Sequence, residues 1–376
     1  MSTAVTIDDF RALARRRLPR VLFDYIDGGA YAEETLARNV RDFQTLALRQ
    51  RVLADVSALS LSTELFGQTL GMPVALGPVG FAGMYARRGE VQAARAAERQ
   101  GVPFCLSTVG ICAIEELRRN VETPPWYQLY MIRDRGYMRE LLARVQAAGA
   151  PVLVFTVDLP VPGARYREAR NAAAGRLAQA WDGLGHPRWF WDVYLNGRPH
   201  NFGNIASAVT DGQSMAHYWN WIRANFDPSV TWRDLEWVRQ SWQGPIVIKG
   251  ILDPEDARQA RALGAEGVIV SNHGGRQLDG VLSSIAALPR IVDAVGDDLA
   301  VLMDGGVRSG LDVLKALALG ARACLLGRAW AFALAAGGEA GVASMLEHLR
   351  QELEVAMALT GCTDLRQAGR HLLDAA

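Results

Sequence analysis

The chain has 376 residues, 50% of them hydrophobic, enough to bury a large core as one sizeable domain or two ordinary ones. Lysine plus arginine and aspartate plus glutamate balance at 40 each, so charge gives no reason to expect nucleic acid as a partner. The four cysteines (Cys105, Cys112, Cys324, Cys362) form no CxxC pair and no metal-ligand spacing, so no metal is expected and they read as reduced packing thiols that suit the cytosolic side of a membrane.

Residues 1–72 look helical and irregular, with apolar periodicity through Phe10, Leu13 and Leu18. FDYIDGGA follows at 23–30, where Gly28-Gly29 marks a helix end. Tyr25 in that stretch reads on its own as a packed aromatic. Asp8 and Asp9 come early, and Arg15-Arg16-Arg17 is not followed by an apolar run, so no signal peptide is expected. No stretch reaches the roughly 18 uninterrupted apolar residues of a spanning helix; the nearest, 316–336, is broken by Arg322 and Arg328.

After residue 72 a rhythm sets in. Short apolar strands begin at Pro73, Val102, Pro125, Pro151, Pro245, Gly267, Leu299 and Ala323. Amphipathic helices lie between them, for example 90–100, 135–148, 254–263 and 310–319, and Gly101, Gly149, Gly264 and Gly320 close them as C′ glycines. Eight strands alternating with helices predict a (β/α)8 TIM barrel. An open doubly wound sheet is the rival, but no GxGxxG follows any strand, and the one GxG, Gly183 to Gly185, falls in a loop. The expected layout is one domain over 1–376: an N-terminal helical segment (1–72), a barrel (73–330) with an insertion at 159–244, and C-terminal helices (331–376).

About eighty residues separate the fourth strand from the fifth, far more than one crossover needs. They contain Trp181, Trp189, Trp191, Trp219, Trp221, Trp232, Trp237 and Trp242. Trp232 and Trp237 fit a helical packing pattern, whereas Arg188-Trp189-Phe190-Trp191 has the aromatic-plus-basic character of an interfacial anchor. The insertion therefore reads either as a lid packed on the barrel or as a membrane-contacting segment.

A barrel builds its active site at the C-terminal ends of its strands. Here those ends carry Gly80, Ser107, Gln128 and Tyr130, Thr156 and Asp158, Lys249, Ser271 and His273, Asp304, and Gly327-Arg328. Lys249, directly after Ile246-Val247-Ile248, stands out because an unpaired lysine is seldom buried. The stretch VIVSNHGGRQLDG (268–280) places His273 and Arg276 at the mouth of a strand. An imidazole suits proton abstraction near neutrality and a guanidinium fork suits a carboxylate. Alone, the pair reads rather as a satisfied loop histidine beside a solvated arginine; the other polar strand ends are what favour the functional reading. DGGVRSG (304–310) and LGR (326–328) put glycines, helix N-termini and two arginines after the last two strands, where this fold recurrently holds a phosphate. Glycines there can also serve tight turns alone, a reading that two Gly–Arg loops on consecutive strands weaken.

SNHGGRQLDG, FTVDLPVPGARYRE, PIVIKGI, DGGVRSGLDVLKALALGA and LLGRA resemble the FMN-dependent 2-hydroxy acid dehydrogenases and oxidases, from about Phe10 to about Gly361. GPVGFAGMYARRGE, LSTVG, FDYIDGGAY and LNGRPHNFGNI look closest to the family's bacterial respiratory L-lactate dehydrogenase branch. The resemblance implies FMN as cofactor and His273 as base, paired with Asp158. It implies Arg276 and Arg165 as a carboxylate clamp, with Tyr25 and Tyr130 hydrogen-bonded to the substrate. Lys249 would face the N1/O2 edge of the flavin, and Pro78, Val79, Gly80, Ser107, Gln128, Thr156 and Ser271 would line its ring and ribityl chain. Asp304, Gly305, Gly306, Val307, Arg308, Gly327 and Arg328 would hold ribityl and phosphate. The implied reaction is oxidation of L-lactate to pyruvate with electrons passed to a membrane quinone or the respiratory chain. The implied setting is a homo-oligomer held peripherally on the cytoplasmic face of the inner membrane, with contact through 181–202. A soluble oxidase using O2 on lactate, glycolate or mandelate is the first alternative, and a catalytically silent phosphate-binding barrel the second. Val109-Gly110 stand where glycolate oxidases carry a tryptophan, which leaves more room beside the substrate.

Overall fold

Alternation along each strand decides what the molecule is. In the computed structural model, which describes residues 4–209, 221–222 and 224–374, a small antiparallel hairpin, β1 (Thr63–Leu65) and β2 (Gln68–Leu70), precedes one eight-stranded parallel sheet. Its strands are β3 (Val74–Leu76), β4 (Cys105–Ser107), β5 (Trp126–Leu129), β6 (Leu153–Thr156), β7 (Ile246–Ile251), β8 (Gly267–Val270), β9 (Ala300–Asp304) and β10 (Ala323–Leu326). The neighbour order β3-β10-β9-β8-β7-β6-β5-β4 leaves β3 and β4 at the two ends. A parallel bridge from Leu76 to Phe104, with the Leu76 N–H donating to Pro103 O at 2.8 Å, draws those ends together and closes the barrel. The expected (β/α)8 barrel is the fold observed.

The inward rows explain both the core and the rim. Ala75, Cys105, Trp126, Val154, Val247, Ile269, Leu302 and Leu325 form an apolar cluster of their own inside the barrel. Their strand neighbours Leu76, Leu106, Phe155, Ile248, Val270, Met303 and Leu326 point the other way and join the core under the helices. Because side chains alternate with period two, the next inward positions are Gly77, Ser107, Gln128, Thr156, Lys249, Ser271, Asp304 and Gly327. The polar strand ends are thus the topmost inward layer.

Residues 63–70, expected to belong to the irregular helical segment, instead plug the opposite end. Phe66 and Gly67 turn the hairpin at φ 50° and 74°, the left-handed pair that a two-residue turn requires. Leu65 and Leu70 join the interior cluster, and the Phe66 ring meets Trp126 edge-on at 5.9 Å. The Trp126 indole N–H donates to Gln68 Oε1 at 3.0 Å.

The helices that position the site follow in order. α1 (Ile7–Arg17), α2 (Arg20–Asp27) and α3 (Glu34–Arg41) precede the barrel. α4 (Gly89–Arg99), α5 (Ile114–Arg118) and α6 (Arg135–Ala147) are crossovers, and α7 (Tyr166–Ala173) and α8 (Gly175–Leu184) begin the insertion. α9 (Arg233–Ser241), α10 (Pro254–Ala262), α11 (Ser284–Val295) and α12 (Gly310–Ala318) complete the wrap, and α13 (Arg328–Thr360) is broken at Gly338. Among the described residues α13 is long and apolar enough to cross a membrane, but 67% of its most apolar window is buried, as in a core helix. The four C′ glycines adopt left-handed φ values of 64°, 77°, 78° and 102°, as expected of helix ends.

The insertion divides its aromatic residues between two duties. Trp189 is buried and donates its indole N–H to Met84 O at 2.8 Å, while Trp181 and Trp191 are 73% and 67% exposed. The RWFW run is therefore one packing tryptophan and one solvent-facing tryptophan. Further along, Ile222, Phe226 and Pro228 cover the barrel mouth. Trp219 lies outside the described residues.

Candidate active site

β8 delivers Ser271, Asn272 and His273 onto the rim. His273 sits at φ 56°, left-handed backbone that is strained for a residue with a side chain. The backbone is pinned there because the His273 N–H donates to Ser271 Oγ at 3.0 Å. Its ring Nδ1 lies 2.8 Å from Asp158 Oδ1. Asp158 has room only because Gly250, at φ 112° in a register shift of β7, lacks a Cβ that would fall 2.5 Å from the Asp158 Cβ. Burial lowers the His273 pKa from its ordinary 6.5, against the opposing pull of Asp158. Burial works to raise the Asp158 carboxyl, but His273 and Lys249 outweigh it and hold it below the ordinary carboxylate range.

Much of SNHGGRQLDG turns out to be a docking device. The Asn272 amide exchanges two 2.8 Å hydrogen bonds with the Asn39 amide of α3. Gly275 O accepts from Ala30 N–H at 2.8 Å, and Asp279 caps α3 by accepting from Thr35 N–H at 2.7 Å. Gly28-Gly29 does end α2, but Gly28 has φ −70°, so a left-handed cap is not the reason. A Cβ on Gly29 would lie 2.9 Å from Gly275 O: the glycine lets the histidine loop approach.

The topmost inward layer is tied together laterally. The Lys249 ammonium donates to Ser271 Oγ at 2.9 Å and pairs with Asp304 Oδ2 at 3.0 Å. Burial lowers the Lys249 pKa, but Asp304 and Asp158 overcome this and raise it, so the buried lysine stays charged. Ser107 Oγ donates to Gln128 Oε1 at 2.9 Å. Ser271 and Gln128 therefore stand behind the cleft surface, and Asp158 stands behind His273.

The clamp arginines lie side by side. Arg276 stacks over Tyr25 at 4.7 Å from the ring centroid, donates to Gly28 O at 2.9 Å, and reaches Glu168 Oε1 at 3.1 Å. Arg165 donates to Arg276 O at 3.3 Å and to the same Glu168 oxygen at 3.4 Å. Burial, and then Arg276, lower the Arg165 pKa. Burial pushes the Tyr25 and Tyr130 hydroxyls up, so both remain hydrogen-bond donors at neutral pH. Glu168 was not among the expected site residues, although its place three residues after Arg165 on a helix start is the signal for such a pair.

At the β9 and β10 ends the expected arginines differ. Arg308 is partly buried, which lowers its pKa, and its Nη1 donates to Val307 O at 2.8 Å. Arg328 spends its guanidinium on the carbonyls of Ile26, Gly28 and Gly274 at 2.8, 2.7 and 2.9 Å. Burial and then Arg276 and Arg308 depress its pKa strongly. The glycines also need a corrected reason. A Cβ on Gly306 would fall 1.7 Å from Asn39 O, so that glycine is required by α3, whereas a Cβ on Gly327 would enter open space.

One cleft of about 310 Å³ collects these groups. It is lined by Tyr25, Pro78, Val79, Gly80, Ser107, Tyr130, Thr156, Arg165 and Lys249. His273, Arg276, Asp304, Gly305, Gly306, Val307, Arg308, Gly327 and Arg328 complete its expected lining. Tyr85, Arg133, Ile222 and Phe226 line it as well and were not expected. A Cβ on Gly80 would lie 2.9 Å from Val109 Cγ2 and 3.5 Å from the Tyr25 hydroxyl, so the space left by the missing tryptophan is shared among these three.

Comparison with known proteins places this geometry. Residues 14–375 match the family described as FMN-dependent dehydrogenase. The chain belongs to the FMN-dependent dehydrogenases. It is 62% identical to an L-lactate dehydrogenase of Caulobacter vibrioides (strain NA1000 / CB15N) over 371 residues, covering 97% of this chain and 96% of the relative. An L-lactate dehydrogenase of Stenotrophomonas maltophilia (strain R551-3) is 60% identical, with 97% of each covered. Among solved structures, the monotopic membrane protein (S)-mandelate dehydrogenase matches at TM-score 0.94 and 37% identity over 100% of both chains.

The cleft of this FMN-dependent dehydrogenase fits the cofactor. Gln128 Nε2, Thr156 Oγ1 and Asp304 Oδ1 are buried with no hydrogen-bond partner among the described residues, a costly state unless another group supplies one. Arg276 and Arg308 lie close enough to Arg328 that, with burial, they penalise its positive charge, so an anionic group is what this corner lacks. Gln128, Thr156, Lys249 and Asp304 suit the ring and ribityl chain, and Arg308 with the start of α13 suits the phosphate.

Proposed function

We propose that this chain oxidises L-lactate to pyruvate, with His273 as the base. The observation that carries the reading is a partly buried imidazole, paired at 2.8 Å to a carboxylate, in the same cleft as two guanidiniums and a buried lysine. The naming of relatives at about 60% identity as L-lactate dehydrogenases supports the substrate.

Arg165 and Arg276 receive the lactate carboxylate, and the Tyr25 and Tyr130 hydroxyls orient its oxygens. Asp158 accepts from His273 Nδ1–H, which leaves Nε2 as the basic nitrogen. Burial keeps the resting imidazole neutral, and once it takes a proton Asp158 stabilises the imidazolium. FMN, when bound, would supply the acceptor for the two electrons and for the second of the two protons that lactate loses, His273 holding the first. Lys249 supplies a fixed positive charge where negative charge then grows. The test is anaerobic addition of L-lactate, D-lactate, glycolate and mandelate while recording the flavin spectrum. Bleaching by L-lactate at a far higher rate than by the others is expected; a faster response to mandelate or glycolate overturns the assignment.

The electron acceptor in this reading is a membrane quinone, and the chain lies peripherally on the cytoplasmic face of the inner membrane. Support comes from the insertion, where Leu177, Trp181, Leu184 and Trp191 are all more than half exposed. Reoxidation by a quinone analogue without peroxide release is the expected outcome. Stoichiometric peroxide that persists when quinone is supplied favours a soluble oxidase.

A further inference from the structure

The histidine loop carries one further polar side chain, Gln277, directly after the clamp residue Arg276 and partly buried. Its Nε2 donates to Asp158 O at 2.7 Å and to Val161 O at 3.0 Å. Its Oε1 accepts from the Gly163 N–H at 3.1 Å and from Arg165 Nη2 at 3.4 Å. The two sides of the amide cannot be exchanged. A flipped group would set its oxygen against two carbonyls and its hydrogens against an N–H and a guanidinium.

All these partners lie at 158–165, a stretch with no helix or strand between the end of β6 at Thr156 and the start of α7 at Tyr166. The first residue of the stretch is the carboxylate paired with His273, and the last is a guanidinium of the clamp. The two backbones also meet closely: a Cβ on Gly163 would fall 2.4 Å from Arg276 O and 2.8 Å from Gln277 O. A staple for the loop needs bonds to its middle alone. This amide also takes hold of Asp158 at one end and of Arg165 at the other.

We propose that Gln277 is the positioning residue that sets Asp158 and Arg165 in place together, so that one amide aligns the partner of the base with the carboxylate clamp. Gln277 does not line the cleft, so it acts through these two residues. The inference rests on the roles proposed above for His273 and Arg165 and adds what holds their surroundings in register. Asp158 Oδ1 has to stay at 2.8 Å from Nδ1 for His273 to present Nε2 as the basic nitrogen. The Arg165 side chain is otherwise held only by long contacts, 3.3 Å to Arg276 O and 3.4 Å to Glu168 Oε1. Misplacing a group of this kind by about 1 Å costs up to about a hundredfold in rate.

The test is anaerobic stopped-flow reduction of FMN-loaded enzyme over a range of L-lactate concentrations, which reads the limiting reduction rate and the lactate Kd separately. Gln277→Met, similar in length and unable to form these hydrogen bonds, should lower the limiting rate about tenfold to a hundredfold and raise the Kd about tenfold. Gln277→Glu keeps an acceptor for Gly163 and Arg165 and loses the donors to Asp158 and Val161. It should slow reduction by a similar factor and raise the Kd less than about threefold. In an Asp158→Ala background Gln277→Met should slow reduction less than about twofold further, and in an Arg165→Met background it should raise the Kd less than about twofold, because the residue it acts through is gone. A residue that only stabilises the fold would lower the thermal midpoint and leave both constants of the folded, FMN-loaded enzyme at parent values. That outcome in Gln277→Met, or in Gln277→Glu should the methionine variant not fold, overturns the proposal. So do full losses repeated in both backgrounds. A parent flavin that L-lactate does not reduce overturns the proposed function instead.

Discussion

The two ends of the barrel are built from the same inward rows of the same eight strands, yet they hold opposite chemistry. At the base, Trp126, Val154, Val247 and Ile269 pack on one another and on Phe66 of the hairpin. Two residues further along those strands come Gln128, Thr156, Lys249 and Ser271. The base is sealed and apolar. The rim keeps a charged lysine, one polar atom each of Gln128, Thr156, Asp158 and Asp304 with no partner among the described residues, and a histidine in left-handed backbone. The difference teaches a division of labour within single strands: one half supplies cohesion, and the other holds groups that only a bound cofactor and substrate complete.

Variants at the two ends should therefore fail in different ways. The largest effect is expected from His273→Gln, with lactate-dependent flavin bleaching slowed about a thousandfold or more in stopped flow. Its FMN absorbance and thermal midpoint should stay near those of the parent; bleaching at the parent rate would remove His273 from the base role. At the base, Trp126→Ala should cost about 3–5 kcal/mol in denaturant unfolding while turnover per folded, FMN-loaded molecule is preserved. A selective loss of turnover there would blur the division. Arg308→Gln should weaken FMN tenfold to a hundredfold by titration of the apoprotein, since it removes a hydrogen-bonding charge from the phosphate corner.

The smallest effect near neutrality concerns pH. Burial lowers the His273 pKa below 6.5, so acidification removes the neutral base only beneath that value. kcat/KM for lactate should be flat from pH 7 downward to about 6.5, then fall by about tenfold per unit below the imidazole pKa. An acid limb that begins above 6.5 would mean the imidazole is not held neutral by its surroundings.

Much of the rim was legible because a barrel converts strand ends into a single locus. Once eight strands were placed, Lys249, Asp304 and His273 had to converge, whatever their separation along the chain. What stayed hidden depends on contacts between distant segments. Residues 63–70 form strands of three residues each, too short to show a period, and the turn places Phe66 where Asn or Gly would announce a hairpin. Asn39 carries no motif, yet its amide locks the histidine loop, and its carbonyl is the reason Gly306 lacks a side chain. In the insertion, Ile222, Phe226 and Pro228 line the cleft, while the exposed Leu177, Trp181, Leu184 and Trp191 lie in a separate stretch, a division that composition alone does not show.

Arg328 joins the last strand's exit to the carbonyls of Ile26 and Gly28, some three hundred positions earlier. A ribosome building this protein must therefore release most of the polypeptide before Arg328 can reach the Gly28 carbonyl, which also accepts from Arg276. The last strand of the cylinder, which ends at Leu326, is thus made before that tie can form.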